Sequence, residues 1–354
     1  MGSDLKLIFV VGGTGAQGLP IVNTLSASGR YAVRVLTRNK NSERAKQLAQ
    51  LPNVELFEGQ QTSQKDLHAG FKGAWGAWVN TDGFTIGEKN ELFYGCRAYE
   101  IARDEGVKHY IYAATDFALK NTNWDETYHW GHNDAKGRVL DYISAQGQNG
   151  ATTSSSVITG PYMDMLYDGM FVPQEQEDGS LVWANPAEDG KIPLIAVEDG
   201  GPYALWMFDN VKESAGLFLK VATDEVSFAD IAKTFTKVTG RPAKHVQVPL
   251  ADFLHKAEPY PNAPANFAAG PNVPRDESMM TFIENFTPWW KFWGQGKAVK
   301  RDFALLDKIH PNRLKSLEDW MKRHNYDGKP KSILKGAKDL RDMAAAMQAA
   351  QKQE

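Results

Sequence analysis

The chain of 354 residues holds a single cysteine, Cys96, so no internal disulfide can form and a reducing compartment is the natural setting. Cys96 falls in a helical-looking segment, where a buried, inert thiol is expected rather than a nucleophile. No stretch approaches the ~20 apolar residues of a membrane span. The short apolar run near the start flows into glycines, with no small-residue cleavage site of a signal peptide. A large charge of one sign is lacking too. Forty Lys and Arg against 43 Asp and Glu leave a formal net charge of −3, and no basic stripe favours nucleic acid or an anionic membrane. No internal repeat or low-complexity block stands out. An intracellular, soluble, cytoplasmic protein is expected, without a nucleic-acid or membrane partner.

What the chain does have is rhythm. Apolar, β-branched runs at 7–11, 32–37, 54–58, 76–80, 109–113 and 153–159 alternate with amphipathic segments at 17–28, 42–51, 64–71, 87–105 and 133–144. Such alternation predicts a doubly wound parallel sheet covered by helices on both faces, an α/β Rossmann fold. After about Gly160 the rhythm breaks. The stretch "DGSLVWANP" reads as a hairpin or edge feature, and Ser227 to Pro242 as a helix with an N-cap at one end and Gly240 and Pro242 at the other. A short strand at 246–248 and a proline-rich loop at 259–274 follow. The cluster "FTPWWKFW" is expected to pack a small lobe, because aromatics dominate core energetics. The expected division is a dinucleotide domain at 1–160, a smaller, discontinuous α+β lobe at 161–328, and a polar tail at 329–354, expected as a loosely held helix.

The glycines of "LIFVVGGTGAQG" stand where the first strand gives way to the first helix. At G-x-x-G-x-x-G spacing, Gly12 permits the tight turn, Gly15 lets a pyrophosphate approach the backbone, and Gly18 lets helix pack on strand. The helix beginning near Ala16 aims free N–H groups and its positive dipole end at that phosphate. Gly13, Thr14 and Gln17 complete the loop. The second strand ends "TRNKN", with no carboxylate until Glu43. Arg38, assisted by Lys40, suits a 2′-phosphate that an acidic residue would repel, so NADP(H) is favoured over NAD(H). Gln60 and Gln61 end the third strand, and Asn80 and Thr81 the fourth, on the sheet edge where ligands of such folds sit.

Together "GGTGAQG", "VRVLTRN", "HNDAKGRVLDYI" and "IHPNRLKSLEDWMKRH" resemble the NmrA-like family, an atypical branch of the short-chain dehydrogenases and reductases. The likeness is greatest to its redox-sensing members. It runs, with gaps, from about Leu5 to His324. The glycine loop and "TRN" are widely shared. The "HxxxK" segment and the C-terminal Pro311, Asn312, Leu314, Leu317, Trp320 and His324 are more specific. The resemblance implies NADP(H) contacts from Gly13, Thr14, Gly15, Ala16 and Gln17, from Arg38, Asn39, Lys40 and Asn41, and from Gln60, Gln61, Asn80, Thr81 and Lys136. Tyr162 and Met163 join them near the nicotinamide end. It also allows a nuclear setting. Where relatives carry a lysine after the fourth strand, this chain has Phe93 or Tyr94, with Lys89 nearby.

Working short-chain reductases place tyrosine four residues before the lysine, on one helix face. Here that position is His132, ahead of Lys136, with Tyr128 two turns earlier; the serine usual at the fifth strand is replaced by Ala113, Ala114 and Thr115. As an enzyme, the chain would use Lys136, with His132 as a general acid of near-neutral pKa, or Tyr128 or Tyr162 as donor. As a sensor it needs Lys136 only to anchor ribose. His129 and His132 at i, i+3, without a nearby Cys or paired acid, make a poor metal pair, and no metal is expected. The first reading is therefore an NADP(H)-binding, redox-responsive regulator acting through a protein partner or homodimer. The alternative is an NADPH-dependent reductase of a small carbonyl, imine or activated double bond.

Overall fold

The computed structural model describes residues 5–148, 150–270 and 275–333. Residues 334–354 of the expected tail helix, and 271–274 of the proline-rich loop, lie outside the described residues. Every apolar run of the first half becomes a strand: β1 (Lys6–Val11), β2 (Tyr31–Thr37), β3 (Val54–Glu58), β4 (Gly76–Val79), β5 (His109–Thr115) and β6 (Thr153–Thr159). Between them run α1 (Gly18–Ala27), α2 (Glu43–Leu48), α3 (Gln64–Phe71), α4 (Gly83–Asp104), α5 (Ala118–Asn121) and α6 (Gly131–Ala145). The second half supplies β7 (Gln174–Glu175), β8 (Leu181–Asn185), β9 (Ile192–Leu194), α7 (Gly200–Asp209) and α8 (Val211–Ser214). Then come β10 (Phe218–Val221), β11 (Asp224–Val226), α9 (Phe228–Thr239), β12 (Ala243–Gln247), α10 (Leu250–Ala257), α11 (Phe282–Gly294), α12 (Phe303–Ile309) and α13 (Leu317–Arg323).

Seven strands form one parallel sheet in the order β10-β6-β5-β4-β1-β2-β3. Its strands are buried on both faces, which is why they read as continuous apolar runs. On one face Ile8, Val10 and Val33 pack with Val22 and Leu25 of α1 and Tyr203 and Met207 of α7. On the other, Phe9, Val79 and Tyr110 pack with Phe71, Ala102 and Ile143. Strand β10 escapes the sequence pattern because it is only four residues, FLKV, with Phe218 exposed at the sheet edge. Helix α4 begins four residues before the expected start at 87, and kinks at Gly87, whose φ of 76° lies outside the helical region.

The third core is aromatic. It gathers Tyr128 and Trp130 with Trp183, Phe228, Phe286, Trp289, Trp290, Trp293 and Trp320, residues far apart in the chain. The expected hairpin is present, with β7 antiparallel to β8, and β12 lies parallel on the other side of β8. The "FTPWWKFW" segment forms most of α11, and its tryptophans are buried in this core. Pro288 sits inside α11 beyond its capped first turn.

Candidate functional site

The carboxyl edge of the sheet collects the residues singled out in the first half. The backbone turns at Gly12 with φ 82°, and a Cβ there would stand 2.6 Å from the Asn80 carbonyl oxygen. A Cβ on Gly18 would stand 2.1 Å from the Gly12 carbonyl oxygen, so strand, loop and α1 close only around glycine. At Gly15 a Cβ would meet only the Gly12 carbonyl oxygen, at 3.2 Å, leaving that stretch of backbone open to approach. Helix α1 starts one residue after Gln17, and no side chain caps it. The Leu19 N–H is taken by the Gly15 carbonyl at 3.1 Å and Pro20 has none, so it is the positive end of the helix at Gln17 and Gly18 that lies open to an anion. Arg44 of α2 reaches the loop from the side, donating to the Thr14 carbonyl at 3.3 Å and to the Ile333 carbonyl at 2.5 Å.

Beyond β2, Arg38, Asn39, Lys40 and Asn41 are all exposed. Arg38 and Lys40 form no ion pair with a described residue, whereas Arg34, earlier in β2, is held by Glu55 at 2.6 Å. Gln60 is exposed, and Gln61 turns its side-chain oxygen to the Asp82 N–H at 3.3 Å. Gly13 packs inward, where a Cβ would press on Val35 at 2.7 Å. Ala16, which joins the loop to α1, is half-exposed.

Lys136 is the hub. Asn80 donates to Gln17 at 2.7 Å and accepts from the Lys136 Nζ at 3.2 Å. The same Nζ donates to the Thr81 carbonyl at 2.8 Å and hydroxyl at 3.1 Å, and pairs with Glu91 at 2.9 Å. Glu91 is fully buried, accepts from the Thr81 hydroxyl at 2.7 Å, and keeps its second oxygen without a partner among the described residues. Burial pushes its carboxyl upward, and Lys136 opposes that. Sequence reasoning missed Glu91. It sits mid-helix on α4, between Lys89 and Phe93 but in no pattern of its own, and only the packing of α4 on α6 brings it to Lys136.

The expectation of a near-neutral His132 is corrected here. Burial, with Lys136 adding to it, pushes the imidazole down to about 3, so the ring stays neutral at physiological pH. Asn285, fully buried, lies against His132 Nδ1 at 2.9 Å, and the Phe84 ring centre is 4.5 Å from the imidazole. Tyr128 stands apart from this group: its ring is in the aromatic core and its hydroxyl donates to Gln295 at 2.7 Å. Met163 is fully buried in the same core, while Tyr162 remains half-buried with its hydroxyl pushed up to about 12 by burial. His129 faces Glu88 at 3.1 Å and His132 faces Asn285, so the two histidines take separate partners. Burial pushes the Cys96 thiol up to about 11, in keeping with an inert thiol. Lys89, near the family's missing lysine, is exposed and pairs with Asp276 at 3.2 Å.

A buried ion pair closes the far end of the edge. Asp116, just past β5, meets Arg301 at 2.9 Å with neither side chain exposed. Arg301 also takes Glu225 through its backbone N–H at 2.9 Å. The pair joins the sheet to the segment following α11.

Comparison with known proteins places this geometry among relatives. The model described as the NmrA-like family matches residues 4–268. The NmrA-like family domain-containing oxidoreductase malD of Malbranchea aurantiaca is 26% identical over 267 residues, covering 70% of this chain and 77% of that protein. Among solved structures, NmrA, a negative transcriptional regulator in complex with NADP, superposes with a TM-score of 0.70 at 20% identity, over 91% of this chain and 98% of that one. The triphenylmethane reductase of Citrobacter sp., complexed with NADP(H), gives 0.65 at 18% identity, over 89% and 99%. Likeness at such identity establishes the fold.

Proposed function

The chain belongs to the NmrA-like family, and we propose that it binds NADP(H) along the sheet edge and passes hydride to a substrate held beside Lys136. The observation that carries the cofactor reading is the free Arg38 and Lys40 beyond β2, beside a helix α1 whose N-terminus nothing caps. A pyrophosphate would be held by the backbone at Gly15 to Gly18 and a 2′-phosphate by Arg38. The bound cofactor supplies hydride. This chain's own residues orient and polarise. Lys136 has three N–H groups and four acceptors around them, so a ribose hydroxyl would take the place of its longest partner, Asn80 at 3.2 Å.

His132 cannot serve as a proton reservoir at neutral pH, but a neutral imidazole N–H can still polarise a carbonyl. That suits acceptors in which hydride transfer needs no simultaneous strong acid, such as conjugated carbonyls. Relatives named oxidoreductases support this reading. A second reading, a redox-responsive regulator, is favoured by the same lack of a ready acid, since sensing needs binding alone. It draws support from the fold neighbour described as a transcriptional regulator.

The test is a fluorescence titration with NADP+, NADPH, NAD+ and NADH, followed by NADPH oxidation with conjugated carbonyls. Arg38→Ala should weaken NADP(H) binding about 10–100-fold and leave NAD(H) unchanged. Turnover lost in Lys136→Ala would establish the enzyme. Unequal NADPH and NADP+ affinities without turnover would favour the regulator.

A further inference from the structure

Beside His132 lies a cavity of about 20 Å3, room for one water, between the first turns of α4 and α6 and the side chains of Asn266, Met279 and Met280. Two of its polar groups have their orientation fixed from behind. Asn266 is 2% exposed, and its amide nitrogen donates to the Thr85 carbonyl at 3.5 Å. A carbonyl only accepts, so Asn266 Oδ1 must face the other way, and it has no partner among the described residues. A buried acceptor left so is destabilising until a donor reaches it.

His132 offers the complementary group. The Gly131 N–H donates to Asn285 Oδ1 at 3.0 Å, which turns the Asn285 amide nitrogen to His132 Nδ1 at 2.9 Å. Nδ1 is then the acceptor, and the neutral ring carries its hydrogen on Nε2, which no described residue takes up. Of the other two polar side chains of the wall, Glu88 is already held by Arg138 at 2.7 Å and His129 at 3.1 Å, and the Ser278 hydroxyl donates to Asp276. Phe84 lies against the imidazole and is stacked on Phe286, with centres 6.2 Å apart and planes 3° from parallel. Met279 and Met280 form a wall of unbranched thioethers that can yield to a ring.

One donor and one acceptor on a water-sized cavity, the donor on the flat imidazole, match one edge of a planar amide. We propose that this cavity reads the lactam edge of a planar ring substrate, its N–H donating to Asn266 Oδ1 and its carbonyl accepting from His132 Nε2. This rests on the reading of the cleft beside Lys136 as the substrate site. His132 and Asn266 would be specificity-determining contacts, with His132 polarising the carbonyl of a conjugated lactam.

The experiment is calorimetric titration of the NADP+-loaded protein with 2-quinolone, N-methyl-2-quinolone and quinoline, where no turnover can occur. The expected result is 2-quinolone binding about tenfold tighter than its N-methyl analogue, with quinoline weaker still. Asn266→Leu should erase the difference between the two quinolones, and Asn266→Asp, which still accepts, should keep it. His132→Phe should weaken both. Equal binding of the two quinolones, or a preference that survives Asn266→Leu, would overturn the proposal. So would no binding of any probe to protein that still takes up NADP+, which means the cavity holds water only. Failure to bind NADP+ itself would instead overturn the cofactor reading on which this one rests.

Discussion

The helices that start beside the glycine loop and Lys136 differ in how they begin from most helices of the aromatic lobe. In the lobe, α9, α11, α12 and α13 all begin with a side chain bonded to the first turn, and Ser227 with Asp230 and Thr281 with Glu284 form reciprocal capping boxes. At the edge, α1 and α4 begin with no side-chain cap, although Ser42 and Ser63 cap α2 and α3 there, and α10 of the lobe is uncapped. The lobe gains its stability from apolar area, even leaving the indole N–H groups of Trp290, Trp293 and Trp320 buried without partners among the described residues. The edge does the reverse, building a polar net from Gln17 through Asn80 and Lys136 to Glu91 while leaving α1 open. A region closed by its own side chains is built for stability. One that leaves N–H groups free keeps them for a ligand.

The sharpest test of whether the two regions stand apart is the buried Asp116–Arg301 pair that joins them. Asp116→Ala would strand the Arg301 guanidinium without exposure, at a cost of about 3–5 kcal/mol in urea unfolding at pH 7. Adding Arg301→Met should recover most of that loss. A cost below about 1 kcal/mol would mean that the regions do not depend on the pair. Next in size is Gly12→Ala, which forces an L residue to φ 82° and a methyl against the Asn80 carbonyl. About 1–3 kcal/mol is expected, together with weaker NADP+ uptake, because the Asn80 side chain links Gln17 to Lys136.

The contrast also explains what could be read in advance. The edge was legible because its signals are local: the glycines sit within seven residues of one another, and each strand of the first half is a single apolar run. Helix starts such as Gln17 and the end of β2 follow from the same short segments. The partner of Lys136 was not legible, because Glu91 comes 45 positions earlier on another helix and only tertiary packing joins them. His132 was placed correctly ahead of Lys136, yet its protonation was misjudged. Its spacing is a local property, whereas its burial beside Asn285 and Phe84 is made by elements distant in sequence. The lobe was legible in part: its aromatics announced a core, and local signals marked the hairpin, α9 and a short strand overlapping β12, whereas the four-residue β10 has no pattern to reveal it.

Titration offers a smaller test at the boundary. His132 is held near 3 in the fold against about 6.5 when unfolded. A histidine with a depressed pKa contributes its stability in full above the unfolded value, and loses it as pH falls toward the folded one. His109, held near 4 by burial among Thr153, Ser155 and Ser214, behaves alike within the sheet. Between pH 7 and 5 each should remove about 1–2 kcal/mol. His132→Phe should therefore flatten part of the pH dependence of urea unfolding, and an unchanged slope would show that the ring is protonated in the native state.

The smallest expected effect separates the regions most cleanly. Ser227→Ala removes the hydroxyl that accepts from the Asp230 N–H at 3.1 Å and donates to the Asp230 carboxylate at 2.9 Å, opening the first turn of α9. The cost should be about 1 kcal/mol, a fall of about 1–2 °C in melting temperature for a chain of this size. NADP+ affinity should stay within about twofold, because the helix proposed to face the phosphate is α1, which no side chain caps. If affinity falls with stability, the lobe's helix ends are coupled to the edge. The open end of α1 would then be held in place by the lobe and not by the glycines beneath it.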